Sequence, residues 1–134
     1  MYLKYFKLIF ILLSLFIISC KKQSASVSST IIGTWELRTV YNSWVGNTNY
    51  TAGNGNYLKF TKSTFEMDTN RVLENRGSYV IVKEKFNLTG EIGNRIIYNH
   101  EENSDRIFVN VLHDSLTLSE DAYDGGGALY IRIE

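Results

Sequence analysis

The sequence predicts an all-β domain, an antiparallel up-and-down barrel of about eight strands. Three observations lead there. The 134 residues include no proline, ten glycines and nine tyrosines, and Thr, Val, Ile and Asn recur throughout, a composition suited to pleated strands and tight turns. Apolar residues alternate with period two, and no window beyond residue 30 keeps a helical period over three turns. The candidate strands follow one another through short links, so antiparallel neighbours are the simplest pairing. A meander of short strands leaves two open edges, and closing it removes both. A barrel of about eight strands is either filled by its own side chains or holds one small ligand.

The strands read in order as follows. Thr34 to Tyr41 alternates, with Trp35, Leu37, Thr39 and Tyr41 on one face and Thr34, Glu36, Arg38 and Val40 on the other. Asn42 to Asn56 is a long Gly/Asn loop carrying Trp44 and Tyr50; loops of this length are uncommon unless they bind something or move. Tyr57 to Thr61 and Thr64 to Asp68 form a hairpin about Lys62-Ser63. A polar connection, Asp68 to Arg76, leads to a strand at Gly77 to Val82. A turn at Lys83-Glu84, a strand at Lys85 to Thr89, a turn at Gly90 to Asn94 and a strand at Arg95 to Asn99 come next. After the polar loop His100 to Asp105, Arg106 to His113 places Ile107, Val109 and Val111 opposite Phe108, Asn110 and Leu112. His113-Asp114 turns into Ser115 to Ser119, an acidic then glycine-rich loop follows at Glu120 to Gly127, and Ala128 to Ile133 closes the chain.

The beginning of the chain reads as an address. Lys4 and Lys7 precede an apolar run, Leu8 to Ile18, broken only by Ser14. That run is shorter than the ~20 residues a spanning helix needs and suits an export leader. Its end, Ile17-Ile18-Ser19-Cys20, resembles a bacterial lipobox. The resemblance implies that residues 1–19 are a lipoprotein signal peptide, that Cys20 is lipidated on its thiol, and that the amine freed by cleavage is acylated as well, palmitate being the expected chain. Two or more acyl chains anchor stably where one is marginal. Cys20 is the single cysteine, so no internal disulfide forms. Residues 20–31 then comprise the acylated cysteine and a flexible tether rich in Ser and polar residues, and residues 32–134 the barrel. The residue after Cys20 is Lys21, and no acidic run follows. Among lipoproteins that pattern implies an outer-membrane anchor facing the periplasm, with the lipid bilayer as partner.

Charge excludes one class of partner. Basic and acidic residues balance at 14 each, and no basic stripe marks a nucleic-acid surface. A monomer is expected. No constellation has the geometry of an enzyme. His113-Asp114-Ser115 contains the residue types of a hydrolase triad, but neighbours on a strand point to alternate faces and cannot align. His100, Glu101, Glu102 and Asp105 offer metal-ligand chemistry in one short loop without a spaced second set. Glu120, Asp121 and Asp124 beside Gly125-Gly126-Gly127 do not match a calcium-loop spacing. We therefore expect no catalytic residue, no metal and no cofactor.

Gly33-Thr34-Trp35 opens the first strand. Tyr57-Leu58-Lys59-Phe60-Thr61, Thr64-Phe65-Glu66, Gly77-Ser78-Tyr79, Ser115-Leu116-Thr117-Leu118 and Tyr130-Ile131-Arg132 follow in order. Together, over about residues 31–134, they resemble the small lipocalin-like lipoproteins of Bacteroidota. The resemblance implies a structural signature of Gly33, Trp35 and Arg132, with Arg132 lying over the Trp35 ring at the closed end. It places the long first loop over the open end. A small apolar or amphipathic ligand is then expected to meet Trp44, Tyr50, Phe60, Phe65 and Tyr79. The alternative is a filled barrel acting as a structural or protein-interaction module at the cell envelope.

Overall fold

A computed structural model describes residues 26–134; the leader and Cys20 lie outside the described residues. One helical turn, α1 (Val27–Thr30), precedes nine strands. These are β1 (Gly33–Tyr41), β2 (Thr48–Asn49), β3 (Tyr57–Phe60), β4 (Thr64–Thr69), β5 (Val72–Lys85), β6 (Ile92–Tyr98), β7 (Ile107–Leu112), β8 (Ser115–Glu120) and β9 (Gly127–Arg132). They form one antiparallel sheet in the order β2-β1-β3-β4-β5-β6-β7-β8-β9, and β1 pairs again with β9. That last pairing closes the sheet, from Trp35 opposite Arg132 to Tyr41 opposite Gly127. β2 is a two-residue appendage on Thr39 and Val40. The wall is thus an eight-stranded, closed, up-and-down barrel, an architecture compatible with the lipocalin-like resemblance.

Period-two alternation fills the interior. Trp35, Leu58, Phe60, Phe65, Tyr79, Ile96, Val109 and Leu116 form one buried cluster with Ile31. Burying each large apolar side chain contributes roughly 1.5–3 kcal/mol. Phe60 meets Tyr79 edge to face, with ring centres 4.9 Å apart, and Phe65 meets Tyr98 in the same way at 4.6 Å. The Tyr79 hydroxyl donates to the Thr61 carbonyl at 2.7 Å, which ties that aromatic layer to the β3–β4 turn. The lower barrel is therefore filled.

Four local features depart from the sequence reading. First, Asp68 to Arg76 is not a connection. Asn70 and Arg71, both at positive φ (52° and 66°), make the turn, and β5 then runs unbroken for 14 residues. Lys83-Glu84 lies inside β5, and residues 86–91 form the following turn, where the sequence suggested a strand at Lys85 to Thr89. Second, the register of β1 shifts between Leu37 and Thr39. This bulge puts Val40 opposite Ala128, which itself pairs with the inward Leu118. Val40 thereby joins the inner face. Third, ordered structure begins before Ile32. Val27–Thr30 forms α1, and Ile31 is fully buried beneath the barrel. Fourth, Glu36 points away from the barrel core yet is buried. The loop turns back over it, with the Gly53 N–H donating to Glu36 Oε1 at 2.8 Å and the Leu37 N–H to the Asn56 carbonyl at 3.0 Å. Burial alone would raise the Glu36 pKa, but the Arg38 guanidinium and the Gly53 and Gly55 N–H groups outweigh it and hold the carboxyl below its usual range.

The β6–β7 seam is short, with Arg95–Phe108 and Ile96–Ile107 as its paired residues. Contacts on the outer face reinforce it. Phe86 stacks on Phe108 with ring centres 3.7 Å apart, and the two rings close over Gly93, where a Cβ would lie 2.5 Å from Phe86 and 2.7 Å from Phe108. Glu84 bridges Arg95 and Arg106, and Arg106 Nε donates to Asp121 at 3.0 Å. Asp121 also accepts the Asn87 N–H at 2.7 Å. The β5–β6 turn is in this way fastened to the far side of the seam.

Candidate functional site

Antiparallel topology gives the barrel two unlike ends. At the closed end, the Arg132 guanidinium carbon lies 4.0 Å from the centre of the Trp35 ring. Arg132 also donates to the Ile32 carbonyl at 2.7 Å and to the Thr30 carbonyl. The Trp35 indole N–H donates to the Ile31 carbonyl at 2.7 Å. Gly33 has φ +139°, and a Cβ there would stand 2.4 Å from an Arg132 nitrogen and 2.6 Å from the Glu134 carbonyl. Glycine is required because the guanidinium occupies the space a side chain would take. These contacts tie the start of β1 to the end of β9, a structural role.

The opposite end, where β1 finishes, is the candidate site. A cavity of about 360 Å³ opens beneath the β8–β9 connection. Val40, Ile107, Leu118 and Ala128 supply its apolar wall, and Glu120 and Asp124 stand at its rim. A second hollow of about 330 Å³ lies under the β1–β3 loop, between Leu37, Tyr50, Met67 and Tyr130. Both are near the lower end of the range for small-molecule pockets. Burial raises the Tyr130 phenol pKa, and the nearby Tyr50 phenol adds to the effect. Burial likewise pushes up the Tyr98 phenol, whose hydroxyl is enclosed without a hydrogen-bond partner among the described residues.

The residues expected to meet a ligand separate into three groups. Tyr50 lines the second hollow. Trp44 stands on the mouth loop, 80% exposed. Its backbone N–H donates to Asn42 Oδ1 at 2.8 Å, and its indole N–H to Asp124 Oδ2 at 3.3 Å. Phe60, Phe65 and Tyr79 lie in the packed core and line neither mouth cavity. Sequence reasoning missed Val40, whose face the β1 bulge reverses, and weighed Glu120 and Asp124 only as a calcium loop, which their spacing does not match. Topology was the usable signal for the last two, because the β8–β9 and β1–β3 connections of an up-and-down barrel share one end. The Ser43 hydroxyl donates to the Gly125 carbonyl at 3.4 Å, so the two loops touch. Comparison of the chain with protein-family models, with curated proteins and with solved structures finds no match.

Proposed function

We propose that this protein is an acyl-anchored envelope lipoprotein that binds a small amphipathic molecule in the mouth of its barrel. One observation carries the binding reading: a cavity of about 360 Å³ beneath the β8–β9 connection, with an apolar wall of Val40, Ile107, Leu118 and Ala128. The filled lower barrel leaves no deep calyx, so the ligand is short and sits at the rim. Cys20 carries the acyl chains, on the periplasmic side of an outer membrane. Native mass spectrometry of protein taken from its own envelope, in a mild detergent, tests the binding reading. A reproducible added mass that is displaced by apolar probes is expected. A clean apo mass with no uptake of such probes overturns it. The anchor is tested separately, since Cys20→Ser should move the protein from the membrane pellet to the soluble fraction, and unchanged fractionation refutes the lipidation.

A second reading is an interaction module. It is favoured by three large side chains on the same two loops: Trp44, Val45 and Tyr123 are 80%, 83% and 97% exposed. In-cell cross-linking that recovers one partner, lost on Trp44→Ala, would select this reading over the first.

A further inference from the structure

We propose that the mouth takes a cationic amphiphile, a short alkylammonium by chemical class, in preference to a fatty acid; this rests on the ligand-binding reading of the mouth. The cavity under the β8–β9 connection offers Val40, Ala128, Ile107 and Leu118 to an alkyl chain, and two carboxylates, Glu120 and Asp124, to whatever group ends that chain. No lysine or arginine is among its lining residues. One guanidinium, Arg106, lines a neighbouring hollow together with Glu120. It is already committed to Asp121, Glu84 and the Lys85 carbonyl.

Neither rim carboxylate has a counter-charge among the described residues. Glu120 Oε2 accepts the Gly126 N–H at 3.0 Å, and Asp124 Oδ2 accepts the Trp44 indole N–H at 3.3 Å. Both donors are neutral, so two negative charges remain at the edge of a hollow with an apolar wall. Trp44 lies beside this rim. The Asn42 side chain holds the loop by accepting the Trp44 and Val45 N–H groups at 2.8 and 3.1 Å, and the indole stands exposed beside Asp124. An ammonium placed at this rim gains attraction from both carboxylates. A fatty-acid headgroup in the same place meets like charge.

The test uses the mature protein in nanodiscs of zwitterionic lipid, with empty discs as the blank. Hexylammonium, hexanol and hexanoate are titrated at low ionic strength, read by calorimetry and by intrinsic fluorescence. Fluorescence reports on Trp44 because the other tryptophan, Trp35, is fully buried at the opposite end. Hexylammonium should bind about tenfold more tightly than hexanoate, the combined worth of weak solvated ion pairs to the two carboxylates and the like-charge repulsion that hexanoate meets. Salt should narrow the difference. The double variant Glu120→Gln, Asp124→Asn keeps both acceptors. It should melt like the wild type yet bind hexylammonium no better than hexanol. If hexanoate or hexanol matches hexylammonium on the wild type, the charge preference is wrong while the ligand site stands. If no probe binds, both fall.

Discussion

Replacing Arg132 with alanine is the sharpest test of how this barrel is held shut. The perturbation removes three interactions together: the guanidinium 4.0 Å from the Trp35 ring centre and the hydrogen bonds to the Ile32 and Thr30 carbonyls. A partly buried cation–π contact contributes about 1 kcal/mol. Each hydrogen bond from the charged donor, discounted for partial exposure, adds roughly 0.5–1 kcal/mol. Asp114, 3.9 Å away and 80% exposed, adds nothing measurable. The expected loss is therefore about 2–3 kcal/mol, a large share of a small domain's stability, and should lower Tm by roughly 10–20 °C. Guanidinium denaturation followed by Trp35 fluorescence measures it, with an unchanged m-value showing that the unfolding transition is the same one. Arg132→Lys keeps a charge over the indole but loses the forked geometry, and should recover about half of the loss. A loss below about 0.5 kcal/mol for Arg132→Ala, the range of an ordinary surface substitution, would refute the latch.

Three further predictions concern the same framework. Gly33→Ala should destabilise by about 2 kcal/mol or more, because φ +139° is strained for any other residue and the new Cβ meets the Glu134 carbonyl at 2.6 Å; a urea midpoint equal to wild type would contradict this. Leu58→Ala, at a fully buried position, should lose about 2–5 kcal/mol by calorimetric unfolding, and a smaller loss would mean the barrel collapses into the space. Stability should also fall in acid. Glu36, Glu84 and Asp121 all have folded pKa values below their ordinary 4.5, 4.5 and 3.8. For Glu84, hydrogen bonds from Arg106 and Arg95 outweigh burial; for Asp121, burial is outweighed by the Asn87 N–H and Arg106. Their contribution is fully present above those ordinary values and is lost as pH falls through the lower folded ones. Denaturation midpoints that stay flat from neutral pH down to pH ~3 would overturn the linkage.

The fold was legible wherever one face of a strand is buried and the other wet. β7 follows the alternation, with Ile107, Val109 and Val111 inward and Asn110 and Leu112 exposed, although Phe86 covers the outward Phe108. The pattern failed where geometry breaks its premise. The first residues of β5, Val72 to Arg76, are exposed on both faces, so a true strand reads as a polar connection. The turn before it uses Asn70 and Arg71 at positive φ without a glycine to announce it. The bulge in β1 moves Val40 inward without any local sequence signal. Glu36 looks like a solvent residue and is buried only because a distant Asn/Gly loop returns to cover it. The mouth was half legible: Trp44 and Tyr50 drew attention through their long loop, while Glu120 and Asp124 acquire meaning only once topology brings their connection to the same end.

The Arg132 latch also has a temporal consequence. Its guanidinium and the Ile32 carbonyl it grips are 100 positions apart in the chain, and the β1–β9 seam joins the first long strand to the last. Hairpins such as β3–β4 and β7–β8 can zip as soon as they emerge, on a scale of about 1–10 μs. The circle cannot be locked until the final six-residue strand exists. Closure across so long a loop is the slow, high-contact-order step. A polypeptide built in this way stays unlatched until β9 has been synthesised or threaded, and becomes a barrel only when that strand is free.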